Sequence, residues 1–258
     1  MSEKVLLILA DGMRPDSLEA CANPTVQRLM NECAASMAAT TVMPSVTLPC
    51  HMSLFHSVAP ERHGIVTNLY TPQVRPVKGL CEVLAEAGKR CAFFTTWEPL
   101  RDLTRPGALA QSAFYSGYSL GYRQADEQAA QSAVSCVNET APDFVFLYFG
   151  LPDFTGHQYG WMGEEYLEAV SRCFDLINRV EGQIDSSYHM IITADHGGHD
   201  RHHGLDIKED MLIPLLLKGP MVAKDKDIGN PSILDIAPTI AKLLDVAPCS
   251  DWEGKSIL

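Results

Sequence analysis

Four of the chain's nine histidines crowd into one short stretch, Asp195-His196-Gly197-Gly198-His199-Asp200-Arg201-His202-His203-Gly204. A lone histidine is most often structural. A cluster behind an apolar run, with glycines that let the backbone approach closely, has the makings of a metal site. Imidazole and carboxylate together suit zinc, with manganese or iron as alternatives. A second element, Asp153-Phe154-Thr155-Gly156-His157, sets a carboxylate and an imidazole four residues apart, on one side of a helical turn. The same spacing also occurs in plain surface contacts. A third candidate, Asp11 in Asp11-Gly12-Met13-Arg14-Pro15-Asp16, can project from a strand end, or simply close an Asx-type turn. The fourth is Thr47, in Met43-Pro44-Ser45-Val46-Thr47-Leu48-Pro49-Cys50-His51, which reads as a loop entering a helix. At a helix N-terminus, free backbone N–H groups and the positive dipole end favour an incoming phosphate. A neutral threonine hydroxyl is a poor nucleophile, and coordination to a cation would favour its alkoxide. The alternative for Thr47 is a helix cap.

These residues need a scaffold. Residues 5–9 and 144–149 are continuous apolar runs, as expected of strands covered on both faces. Residues 91–95, 189–193 and 211–217 also read as strands. Helices are expected at 25–33, capped by Asn23 with Pro24 in the first turn, at 77–87, ended by Gly88, at 124–137 and at 164–184. Alternation of strands and helices with apolar strands predicts an α/β fold, a three-layer sandwich around a mostly parallel sheet. Ligands of such sheets bind beyond the carboxyl ends of the strands. Asp11, Asp153 and Asp195 each follow a predicted strand, and that shared placement marks a site. Residues 98–122, rich in proline, glycine and aromatics, read as a loop or small insertion near the substrate. Aromatics there and in Tyr159-Gly160-Trp161 are candidates for stacking on a base, the alternative being plain packing.

Composition narrows the function classes. The chain has 258 residues, 46% hydrophobic and 20% charged, which predicts a single globular domain over 1–258. A formal net charge of −12 argues against a protein that coats a nucleic-acid polymer. It leaves small anionic substrates open, because bound cations invert the local field. The eight cysteines have irregular spacing without a Cys-x-x-Cys pair, which predicts reduced, buried thiols. The apolar run at the N-terminus is too short for a signal peptide, and no run reaches a membrane-spanning length. A cytoplasmic location away from membranes is the expectation.

Together the motifs resemble the alkaline phosphatase superfamily, and within it the nucleotide pyrophosphatase/phosphodiesterase, or type I phosphodiesterase, family. The resemblance runs from Asp11-Gly12-Met13-Arg14-Pro15-Asp16 through Thr47-Leu48-Pro49-Cys50-His51, Pro60-Glu61-Arg62-His63-Gly64-Ile65 and Asn68. It continues at Pro152-Asp153-Phe154-Thr155-Gly156-His157, Asp195-His196-Gly197 and Asp235-Ile236-Ala237-Pro238-Thr239-Ile240. It implies an alkaline-phosphatase-like fold and two zinc ions. Asp11, Thr47, Asp195 and His196 would hold one ion; Asp153, His157 and His203, with His202 as the fallback, would hold the other. Asn68 and the Thr47 N–H would bind a phosphate oxygen. The implied reaction is hydrolysis of a small phosphate diester, a nucleotide among the candidates, through a phosphothreonine intermediate.

Two alternatives stand beside it. The Asp-His-Gly-Gly-His stretch also resembles the cofactor-independent phosphoglycerate mutase and phosphopentomutase branch, which implies a monoesterase or mutase. A metal-dependent phosphate-ligand binding protein without turnover is the other. Sulfatases of the superfamily carry cysteine or serine in place of Thr47, so sulfate esters are not expected. His51, His63 and His199 are expected to support the site or the fold, and His56 and His189 to lie outside it. The oligomeric state is not legible.

Overall fold

The computed structural model describes residues 3–258. Its strands are β1 (Lys4–Ala10), β2 (Ala34–Thr40), β3 (Cys91–Thr95), β4 (Gln111–Phe114), β5 (Phe144–Phe149), β6 (Tyr188–Thr193), β7 (Leu212–Lys218) and β8 (Lys226–Asp227). Its helices are α1 (Pro15–Ala20), α2 (Pro24–Glu32), α3 (Thr47–His56), α4 (Pro60–His63), α5 (Leu80–Glu86), α6 (Gly117–Leu120), α7 (Tyr122–Thr140), α8 (Leu151–Tyr159), α9 (Glu164–Glu181), α10 (Lys208–Met211) and α11 (Ile236–Leu243).

All eight strands form one sheet in the order β4-β3-β5-β1-β6-β7-β2-β8. Every pairing is parallel except the two that β7 makes, with β6 and with β2. The apolar runs of β1, β5 and β6 sit at the centre, and every side chain of β5 and β6 is buried. Two groups of helices cover the sheet. Helices α1, α2, α7 and α9 pack among themselves, as do α3, α5 and α11; α9 from the first group and α11 from the second both touch β1. This is the three-layer arrangement that alternating apolar strands and amphipathic helices require. Among the described residues no helix is long and apolar enough to cross a membrane.

One aromatic cluster ties α3 to the sheet. Phe55, fully buried, packs its ring 5.4 Å from Phe93 and 5.0 Å from Phe146. Phe55→Ala is expected to cost about 3–5 kcal/mol of stability through lost burial and the cavity left behind. A denaturant titration reads this as a lower midpoint at an unchanged slope.

Register explains the site. Leu9 of β1 pairs with Tyr148 on one side and Thr193 on the other. The carboxyl ends of β5, β1 and β6 are therefore neighbours, and each delivers its aspartate to one cleft.

Several predicted elements differ. The helix expected at 77–87 begins at Leu80, with Gly79 as its cap. The helix expected at 124–137 spans Tyr122–Thr140, and that expected at 164–184 stops at Glu181. Residues 98–122 are not simply a loop, since Gln111–Phe114 adds an edge strand to the sheet. Strand β2, Ala-Ala-Ser-Met-Ala-Ala-Thr, carries no clear alternation and only one of the branched residues that announce a strand, Thr40.

Candidate metal centre and nucleophile

The first turn of α8 carries Asp153, and His157 lies one turn on, with Nε2 3.4 Å from Asp153 Oδ1. His203 reaches the same carboxylate from the loop after β6, with Nε2 3.7 Å from Asp153 Oδ1. Its neighbour His202 is exposed and stands outside this group. Asp11, Asp195 and His196 converge beside them. His196 Nε2 is 3.3 Å from Asp11 Oδ1 and 3.4 Å from Asp195 Oδ2.

The histidine tautomers follow from their partners. Nδ1 of His196, His157 and His203 meets the carbonyl oxygens of Gly197, Arg201 and Ser45 at 2.7, 2.9 and 2.8 Å. A carbonyl only accepts, so each Nδ1 carries the proton and each Nε2 presents a lone pair. Nε2 of His157 and Nε2 of His203 then face each other at 3.2 Å, two acceptors without a hydrogen between them.

The carboxylates tell the same story. Asp11 Oδ1, Asp153 Oδ1 and Asp195 Oδ2 are buried without a hydrogen-bond partner. Burial, with the charges of Asp195 and Asp153, drives the Asp11 carboxyl well above the usual range, partly offset by the Tyr148 hydroxyl. Burial raises Asp153 as well, against the pull of His196 and His157. Burial also penalises ionised Asp195, but His196, His51 and the Gly12 N–H outweigh it and hold that carboxyl below the usual range. Burial and His196 push His203 down to about 3, which keeps its ring neutral. Unpaired buried carboxylate oxygens and converging imidazole lone pairs are what divalent cations satisfy, so the donors fit two such ions. Two overlapping groups emerge, Asp11, Asp195 and His196 in one and Asp153, His196 and His203 in the other.

Thr47 opens α3, yet it is not its cap. Val46 is the N-cap residue, and Thr47 Oγ1 lies 3.2 Å from His196 Nε2. The capping role falls to Asn68, whose Oδ1 accepts the Leu48 N–H at 2.9 Å. Only an oxygen can answer that N–H, so Asn68 presents its NH2 group as a donor elsewhere. Asp11, Thr47, Asn68, Asp153, His157 and His203 share a cavity of about 240 Å³ with Trp97, Tyr118, Tyr122, Tyr148 and Phe154. A larger cavity of about 740 Å³ beside α1 and α2 contains neither these histidines nor Thr47. Chemistry rather than volume locates the site.

The remaining histidines fall outside the ligand sets. His51 Nδ1 bonds the Thr47 carbonyl at 2.8 Å and lies 3.3 Å from Asp195 Oδ2, behind both. His63 bonds Ser53, and His199 bonds buried Asp210 at 2.7 Å, bracing the histidine-rich loop. His56 bonds the Met52 carbonyl, and His189 meets Glu3.

Two aromatic residues complete the site, Tyr148 without a sequence signal and Trp161 in another role than stacking. Tyr148 OH donates to Asp11 Oδ2, leaving Oδ1 free. Trp161, a candidate for stacking on a base, is instead buried behind His157 and donates Nε1–H to the Gly12 carbonyl at 2.9 Å. A side chain on Gly156 or Gly198 would come within 2.6 or 2.2 Å of its ring, so both positions need glycine. The pattern Asp-x-x-Gly-His thus reflects indole packing as much as room for a ligand.

The chain matches the family described as type I phosphodiesterase / nucleotide pyrophosphatase over residues 5–223. It is 26% identical over 219 residues to human ectonucleotide pyrophosphatase/phosphodiesterase family member 7, covering 75% of this chain and 47% of the relative. It therefore spans about half the length of that relative. A 2,3-bisphosphoglycerate-independent phosphoglycerate mutase of Prochlorococcus marinus is 30% identical over 155 residues, covering 53% of this chain and 28% of the mutase. In structure, the inactive murine ectonucleotide pyrophosphatase/phosphodiesterase 5 in complex with AMP superposes with a TM-score of 0.82 at 16% identity. That match covers 97% of this chain and 98% of the murine one.

Proposed function

This chain belongs to the type I phosphodiesterase / nucleotide pyrophosphatase family, and from that premise we propose that it hydrolyses small phosphate diesters with two zinc ions and Thr47 as nucleophile. One observation carries the proposal. The Thr47 hydroxyl sits 3.2 Å from His196 Nε2, within a cluster of buried carboxylate oxygens that have no partner. Asp11, Thr47, Asp195 and His196 would hold one ion, and Asp153, His157 and His203 the other. When bound, such ions acidify a hydroxyl or water and offset charge on a phosphoryl group.

The chain's own residues supply the rest. Thr47 Oγ1 attacks phosphorus, the bond to the leaving alcohol or phosphate breaks, and the group rests on Thr47 as a phosphothreonine ester. Water then cleaves that ester and restores the hydroxyl. The Asn68 NH2 group and the Thr47 N–H at the start of α3 hold a non-bridging oxygen throughout.

Diesters are favoured over monoesters on charge. No lysine or arginine lines the cavity among the described residues. Three ionised carboxylates and an ionised Thr47 balance about +4 from two divalent ions, and a diester then adds one negative charge where a monoester adds two. Tyr118, Tyr122 and Phe154 edge the same cavity, with Tyr122 and Phe154 ring centroids 5.1 Å apart, and they offer aromatic surface for stacking on a flat group such as a nucleobase. The murine structure with AMP supports a nucleotide as the first substrate to try. The similarity to a phosphoglycerate mutase keeps a monoester reading in the test. A cytoplasmic setting stays part of the proposal, supported by eight cysteines standing as free thiols.

The test compares initial rates on a bis-aryl phosphate and the matching aryl monoester, with zinc supplied and a chelator control. The diester is expected to turn over at least about tenfold faster, the consequence of some 1.4 kcal/mol of unbalanced charge. A ratio below one would move the chain to the monoesterase or mutase branch. Tight binding of both esters without turnover would make it a binding protein.

A further inference from the structure

Asp126 belongs to neither ligand set, yet it is buried at 1% exposure and makes no ion pair among the described residues. Its carboxylate accepts three hydrogen bonds. Oδ1 takes the Thr96 hydroxyl and the Gly150 N–H, both at 3.0 Å, and Oδ2 takes the Leu151 N–H at 3.1 Å. Gly150 and Leu151 are the N-cap and first residue of α8, and Gly150 has no side chain to cap with. Pro152 follows and lacks an N–H. Asp126, on α7, therefore caps the helix that carries Asp153, from a distance in sequence.

The position of Asp153 makes this consequential. It is the third residue of α8. An acidic side chain there can reach back to the N-cap N–H, as Asp235 does to the Ser232 N–H at 2.8 Å. That donor belongs here to Gly150, and Asp126 already occupies it. Asp153 instead leaves Oδ1 without a partner, 3.4 Å from His157 Nε2 and 3.7 Å from His203 Nε2.

We infer that Asp126 is a positioning residue for the Asp153–His157–His203 ligand set. By capping α8 from α7, it denies Asp153 the Gly150 N–H and keeps that carboxylate free to serve a cation. The ligand role of Asp153 rests on the two-ion reading above. Thr96 extends the effect, because the same carboxylate pins the chain just before Trp97 at the cavity wall.

Two experiments on the full chain decide it. In the first, the parent, Asp126→Asn and Asp126→Ala are stripped and titrated with zinc against a competing chelator. The parent holds two ions. Asp126→Ala weakens one of them by roughly 10–100-fold, as loss of a group that orients a ligand does, and leaves the other unchanged. Asp126→Asn falls between, since its amide can still accept from Gly150 but sets an NH2 group against the Leu151 N–H. Both variants binding two ions with parental affinity would overturn the inference, and so would an equal loss at both sites in a folded variant.

The second experiment needs no metal. Thermal melts of the stripped protein form a cycle of Asp126→Ala and Asp153→Ala. With Asp153 present, removing Asp126 costs the acceptor of Thr96 and Leu151 only, because Asp153 swings over to cap Gly150; with Asp153 gone, the same change also orphans the Gly150 N–H and lowers the melting temperature further. Additive shifts would overturn the capping exchange. A parent that binds no divalent cation would sink the two-ion reading, while this cycle would still decide the exchange.

Discussion

Thr47→Ala is expected to reduce diester turnover by roughly 10⁴–10⁶-fold, the scale of losing a nucleophile on which every later step depends. The zinc content should stay at two ions per chain. The separation follows from geometry. The hydroxyl touches His196 Nε2 and does not cap α3, whose N-cap residue is Val46 and whose Leu48 N–H is held by Asn68. Alanine therefore removes the reacting oxygen without opening the helix or disturbing Asp11, Asp195 and His196. Rates on the bis-aryl diester, beside metal analysis of the same sample, make the measurement. Ordinary turnover by the alanine variant would exclude a phosphothreonine intermediate and point to direct attack by water. A Thr47→Ser variant should recover part of the loss, because it restores the hydroxyl and lacks only the methyl group.

Asp195→Asn should be the other severe change, lowering turnover on the order of 10³-fold or more, at least as much as removing one donor to a developing charge. Asp195 divides its work between two oxygens. Oδ1 accepts the Gly12 and His196 N–H groups at 3.2 and 3.0 Å, and Oδ2 has no partner. Asparagine can keep the first function by placing its carbonyl toward Gly12. Its NH2 group then stands where Oδ2 was, facing the His196 ring, and offers no lone pair to a cation. Shape is preserved and charge is lost, so the melting temperature of the stripped protein should change little while one zinc per chain disappears. Retention of both ions and of activity would show that Asp195 orients the loop and nothing more.

These expectations differ in how far the sequence could carry them. Strands β1 and β5 were legible because burial on both faces leaves an unbroken apolar run, which no exposed segment would sustain; β6 shows only the shorter run Met190-Ile191-Ile192. Asp153 and His157 were legible because their spacing is local to one helical turn. Asp11 and Asp195 could be nominated from their place after such strands, though the Asp11 segment alone read equally as an Asx-type turn. Edge strand β4, short and largely exposed, lacks the burial that writes a pattern into a sequence. Strand β2 is only partly buried and is built mostly of small residues, which leave too weak a hydrophobic contrast to read.

Tertiary structure decided the rest. His202 and His203 are adjacent in a loop that has no period, and only the fold turns one of them toward Asp153. Tyr148 reaches Asp11 because β5 pairs with β1, and Trp161 reaches Gly12 across the cleft. Asp126 looks like any polar residue in the first turns of a helix until α7 is laid beside α8. The sequence by itself determined the central strands and the chemical kinds of group at their carboxyl ends, because burial and local spacing leave periodic traces. Which lone pair faces which, and which carboxylate is kept free by another, depended on contacts between segments far apart in the chain, and such contacts leave no period to read.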